Sequence, residues 1–214
     1  MSSLEAGHPF VAHRRGRRAL AALAGCAMAG AVLASGLAAT WPLPILGWAA
    51  AFVLLAVERD VAAHRVPNWL TLPGVAIGFG WGFLAVGLDG LVLALLGCAL
   101  AFGFFVVPYA VGALGAGDVK AAMALGALFG PALTLRFALV AIVTGGVLGV
   151  LRLAAAGALS ELAGRWVRSV GASLVARRPI YLPPPPESPA AAGIPFAVAL
   201  AAGLAISLSL EVLA

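Results

Sequence analysis

The chain has 214 residues, of which 63% are hydrophobic and only 10% charged, and its mean hydropathy is +1.09. Soluble domains are about 45–50% apolar and about 25% charged, so a soluble globular domain, a disordered chain and a disulfide scaffold are excluded. The net charge of +5 comes from 13 basic residues, all arginine except Lys120. In a chain this apolar they read as loop charges that set membrane orientation, not as a nucleic-acid surface.

Residues 1–18 form a polar, basic tail ending in Arg14, Arg15, Arg17 and Arg18. Apolar runs near 20 residues then recur to the end without the alternation of a β-barrel. The expected fold is all-α, a polytopic membrane helical bundle of about seven transmembrane helices. The first run, 19–40, follows a basic segment and contains Leu23-Ala24-Gly25-Cys26. It resembles a signal peptide but reads better as a retained signal-anchor, because the run continues well past Cys26. It ends at Trp41-Pro42-Leu43-Pro44, where proline stops a helix and tryptophan favours the interface.

The second run, 45–57, ends abruptly at Glu58-Arg59-Asp60. The third, 69–88, stops near Asp89-Gly90, and the fourth covers 91–111. A glycine-rich break, Gly112-Ala113-Leu114-Gly115-Ala116-Gly117-Asp118, precedes a short fifth run over 119–129 that ends at Gly130-Pro131. The sixth run covers 132–156 and the seventh 191–212. Between these two lies the one long polar segment, a loop over 158–190. Its first part puts Leu162, Trp166, Val170 and Leu174 on one stripe, as in an amphipathic helix lying on the membrane. Its second part holds Pro183-Pro184-Pro185-Pro186, an extended spacer.

Orientation follows from the basic residues. A cytoplasmic N-terminal tail and seven spans place Arg59, Arg65, Lys120 and the Arg152–Arg178 loop all in the cytoplasm. Three basic clusters thus agree with a count fixed by the first.

Cys26 and Cys98 are the two cysteines, both inside apolar runs, and neither has a partner at metal-ligand spacing. Neither a zinc site nor a disulfide framework is expected. The aspartates carry more information. Asp89, before Gly90, reads as a turn residue. Asp60 and Asp118 fall at one membrane depth, at the cytoplasmic ends of the second and fifth spans. Ionisable groups at such depth are costly and often functional, although each has a plainer reading: Asp60 as an end-cap paired with Arg59 or Arg65, Asp118 as a helix N-cap. The glycines before Asp118 let backbone or substrate approach its carboxylate. After Asp60, Val66-Pro67-Asn68 directs the chain out of a short turn into the next span. His64 reads as a solvated loop residue rather than part of a site.

Taken together these residues resemble the type IV prepilin peptidases, intramembrane aspartic proteases of the GxGD type. One family motif is an Asp followed by Pro-Asn and Leu-Thr, here Asp60, Pro67-Asn68 and Leu70-Thr71. The other is GxGDxK, here Gly115, Gly117, Asp118 and Lys120. A looser feature is the Ile-Pro-aromatic lead into the last helix, here Ile194-Pro195-Phe196. The resemblance covers residues 45–214 and makes 19–44 an additional helix before a six-helix core.

The resemblance implies Asp60 and Asp118 as catalytic residues, with Pro67, Asn68, Gly115, Gly117 and Lys120 supporting them. It implies a mechanism in which two carboxylates share one proton and activate water without a metal or cofactor. The implied substrate is a prepilin or pseudopilin precursor, cut on the cytoplasmic side just before its hydrophobic helix. Membrane lipids and the pilus assembly machinery are the further partners, and nucleic acid is not one. Larger relatives carry a four-cysteine zinc cluster and also N-methylate the pilin. Two cysteines do not supply that cluster, so the chain looks like the small, peptidase-only branch of Flp-type (tight-adherence) pili, in the bacterial inner membrane. The competing reading is a small proton-coupled transporter or channel subunit, since paired carboxylates and broken helices also mark transport pathways. It expects midplane carboxylates and related halves, and the sequence offers neither.

Overall fold

The structure, a computed structural model, describes residues 41–178, 180, 182, 185, 188 and 195–213. The basic tail, the first apolar run and Ile194 lie outside the described residues. Among those described, the regular elements are six helices: α1 Leu43–Ala63, α2 Asn68–Val86, α3 Leu88–Ala110, α4 Ala116–Ala155, α5 Leu159–Ala176 and α6 Phe196–Leu213. Three of them, α2, α3 and α4, are long and apolar enough to cross a membrane, and Phe196–Glu211 of α6 is a shorter apolar stretch. The all-helical membrane bundle expected from composition is the observed fold.

Local chemistry sets most of the boundaries. Pro42 precedes α1 and Pro44 sits in its first turn, where the missing N–H costs nothing. The helix stops at His64, which takes a left-handed conformation and donates its N–H to the Asp60 carbonyl at 2.7 Å. Extended Pro67 then opens α2. One residue, Gly87, joins α2 to α3 at φ 68°. The turn is therefore Gly87, and Asp89 lies inside the first turn of α3, where an acidic side chain meets the free N–H groups of a helix start.

The fifth and sixth apolar runs form one continuous element, α4, broken at Gly130 with φ 74° and ψ 179°. Neighbours give the direction of its two arms. The arm 116–129 starts beside the α1–α2 turn, where Gly117 meets Val66, and ends where Phe129 packs edge-on against Trp41 at 5.0 Å. The arm 131–155 runs back along α6: Phe137 and Ala141 lie against Gly203, and Gly145 against Phe196. The Gly130-Pro131 break is thus a reversal without a loop, and two antiparallel arms stand where the sequence predicts two spans.

α4 is the central element, packed against α2, α3 and α6, while α1 packs on α6 and α2. Close approach comes from small residues, as expected where lipid removes the hydrophobic drive between helices. At the α3–α4 crossing Gly97 and Gly126 face each other so closely that a Cβ on either would strike the other's carbonyl oxygen. Ala101, Ala122, Ala124, Ala138, Ala141 and Ala199 are completely or almost completely buried around this crossing and along α6. Phe105 of α3 meets Phe196 of α6 edge to face at 5.6 Å.

The bundle has two distinct ends. At one, Trp41 donates its indole N–H to Glu211 near the end of α6. The other gathers the C-terminus of α1 and the N-termini of α2, α4 and α6. The second arm of α4 returns to this end too, so α5 follows from it.

Candidate active site

The gathered end places Asp60 and Asp118 in the core. Asp60, in the last turn of α1, is 3% exposed, and Asp118, in the first turn of α4, is 8% exposed. The two carboxylates are near enough for the charge of Asp60 to reach Asp118. Sequence spacing leaves their meeting open; the packing of α1 and α4 around α6 and α2 brings it about.

Each carboxylate is held by backbone. Asp60 Oδ2 accepts the Ala197 N–H at 2.9 Å. Ala197 lies in the first turn of α6, where N–H groups have no partner within the helix. A side chain from α1 therefore caps α6, 137 residues away. Arg59, one of the two expected ion-pair partners, instead places its guanidinium over the Trp69 ring, 5.6 Å from its centroid. Asp118 Oδ2 accepts the Gly115 N–H at 3.1 Å, while the Asp118 N–H donates to the Gly115 carbonyl at 3.1 Å. Asp118 is thus not the N-cap itself but reaches back to the residue that is, the arrangement of a capping box. Its other oxygen, Oδ1, is buried and has no hydrogen-bond partner.

The two glycines of the GxGD string act differently. A Cβ on Gly117 would come within 2.6 Å of the Val66 carbonyl oxygen and 2.9 Å of the Val66 nitrogen. Glycine is required there because the start of α4 rests directly on the backbone of the α1–α2 turn. A Cβ on Gly115 would lie 3.2 Å from Asp118 Oδ2, so glycine leaves that oxygen room to bond the Gly115 N–H.

Lys120 Nζ donates to Asn68 Oδ1 at 2.8 Å, tying the two sequence motifs together across the α2–α4 seam. Pro67 accepts the Leu70 and Thr71 N–H groups at its carbonyl, which starts α2. Every residue singled out for the site is therefore at this end of the bundle. His64 stands at the same turn.

A family model, that of the type IV leader peptidase family, matches residues 47–150. That stretch belongs to the type IV leader peptidase family. No curated protein and no solved structure matches the chain. The leader peptidase segment runs from α1 through most of α4, so it contains Asp60, Asp118, Asn68 and Lys120. It ends before α5 and α6, and the amide that holds Asp60 therefore comes from outside it. Sequence reasoning missed that partner. The signal available was Pro195-Phe196: proline just before a helix leaves the following first-turn N–H groups free for an outside acceptor.

Proposed function

We propose that this protein is an intramembrane aspartic endopeptidase that removes the short leader from type IV, Flp-like prepilins at the cytoplasmic face of the inner membrane. The observation that carries the reading is the pair of buried carboxylates, Asp60 and Asp118, gathered from two helices at one end of a membrane bundle. Water hydrolysis by two carboxylates needs one ionised and one protonated group. Asp60 supplies the ionised base. Its support is the amide at the positive end of α6, which favours a charged acceptor. Asp118 supplies the acid, since leaving a charged oxygen buried and bare, as Oδ1 would be, is the costlier arrangement. Asp60 takes a proton from water as it attacks the scissile carbonyl, and Asp118 protonates the carbonyl oxygen. The proton taken by Asp60 then passes to the departing amine, and Asp118 recovers a proton from the gem-diol as it collapses to the carboxylic acid.

The short first arm of α4 fits this chemistry. At 1.5 Å per residue, 116–129 extends roughly 21 Å, against about 30 Å of hydrocarbon, so a site at its start is drawn below the membrane surface. A prepilin cut beside its hydrophobic helix offers its bond at that depth. With two cysteines the chain has no four-cysteine cluster, and the reading is of a peptidase without N-methyltransferase activity.

The test is co-expression with a Flp-type prepilin, read by the mass of the pilin. The wild type removes the leader. Asp60→Asn and Asp118→Asn insert normally and leave it attached, and Asp89→Asn, in α3, still cleaves. Cleavage by both amide variants would end this reading.

A further inference from the structure

α5 is built inside-out for a helix in water. Its polar residues Arg165 and Ser169 are buried, while Trp166, Val167, Val170 and Leu174 are 54%, 72%, 53% and 75% exposed. The polar side is closed by the chain that follows. Ser173 Oγ accepts the Ile180 N–H at 2.8 Å, and Ser169 Oγ accepts the Leu182 N–H at 3.3 Å. Ile180 and Leu182 thus strap the serine side of α5. At 100° per residue, Leu159, Ala163, Trp166, Val167, Val170 and Leu174 share an arc of about 100°, and this arc is exposed among the described residues.

We propose that α5 and its strap form a docking module that seats the apolar arc in the bilayer leaflet at the Asp60–Asp118 end, with preference for anionic phospholipid. Three observations select a lipid surface as the occupant. α5 is continuous with a membrane-spanning element, since only residues 156–158 separate it from α4. An apolar arc with an exposed tryptophan suits the boundary between headgroups and acyl chains. The segment 152–178 carries five arginines against one acid, Glu161, and basic residues near a membrane are attracted to anionic headgroups. The inference is independent of the peptidase reading.

The test uses the full chain with Cys26 and Cys98 replaced by alanine. One cysteine is placed at Leu174 on the arc, or at Arg168 on the far side, and labelled with an environment-sensitive fluorophore. The protein is reconstituted in nanodiscs of phosphatidylcholine, alone or mixed equally with phosphatidylglycerol. Nitroxide on the upper acyl chain should quench the Leu174 label severalfold more than the Arg168 label, and aqueous iodide should do the reverse. Adding phosphatidylglycerol should deepen quenching at Leu174, and salt should reverse that increment. Equal iodide quenching at both positions would overturn the docking. Equal nitroxide quenching with and without phosphatidylglycerol would overturn the anionic preference. Energy transfer between Leu174 labels that persists on dilution into excess lipid would assign the arc to a second copy of the chain instead.

Discussion

The bond from the Ala197 N–H to Asp60 Oδ2 sets up the sharpest test of the proposed chemistry. Ala197→Pro removes that single donor and leaves the carboxylate itself untouched. The first turn of α6 does not use this N–H within the helix, and proline is tolerated at helix starts. Asp60 is 3% exposed, so bulk water does not replace the lost donor. Hydrogen bonds to charged groups contribute about 1.5–3 kcal/mol. At about 1.4 kcal/mol per factor of ten, cleavage should slow roughly 10- to 150-fold. The assay is the initial rate of prepilin cleavage in reconstituted membranes, measured beside thermal unfolding of the same preparation. Ala197→Ser keeps the N–H and should stay close to wild type. The reasoning is refuted if Ala197→Pro unfolds like the wild type and cleaves at the wild-type rate, for then the amide at the start of α6 does not hold a working carboxylate.

Gly117→Ala should cost more than a methyl group usually does, because its Cβ meets the Val66 backbone. Overpacking of this kind costs about 1–3 kcal/mol, and cleavage and thermal stability should fall together. Breaking the Lys120–Asn68 hydrogen bond should matter less, since the pair is exposed. Lys120→Met or Asn68→Ala should each destabilise by about 0.5–1.5 kcal/mol, and the double variant should be no worse than the more damaging single one. Additive losses in chemical denaturation would show that the two residues act separately. The pH profile of cleavage should be a bell, since acid protonates the base and alkali ionises the acid, and its limbs belong to the pair. A chelator should leave that profile unchanged; loss of activity restored by zinc would replace the two-carboxylate mechanism with a metal one.

What was legible in the sequence was whatever depends on local chemistry. The apolar runs announced helices because length and composition alone decide them in a membrane. Gly130-Pro131 announced a break, and Pro67 announced the start of α2. Long-range pairing was not legible. Arg59 looked like a partner for Asp60 because it is adjacent in sequence, yet neighbouring residues on a helix point about 100° apart, and the guanidinium reached Trp69 instead. The Ala197 amide was invisible for a related reason. A backbone N–H has no residue identity, so only the packing of α6 against α1 could reveal what it bonds.

The same contrast explains why glycine and backbone, more than charged side chains, build this site. An ion-pair partner buried beside Asp60 or Asp118 would neutralise the carboxylate and occupy the space a scissile peptide needs. It would also carry the desolvation cost of a second charge. A helix N-terminus supplies a fixed donor with partial positive charge and no side chain to accommodate. Asp60 takes its donor from α6, and Asp118 takes one from the turn that starts its own helix. Gly117 lets that turn rest on Val66. The arrangement leaves Asp118 Oδ1 buried and without a partner. In the proposed reaction its partner is the carbonyl of the leader's last peptide bond. The unpaired oxygen is then the expected contact for substrate, because Asp60 Oδ2 and Asp118 Oδ2 are already tied to main chain.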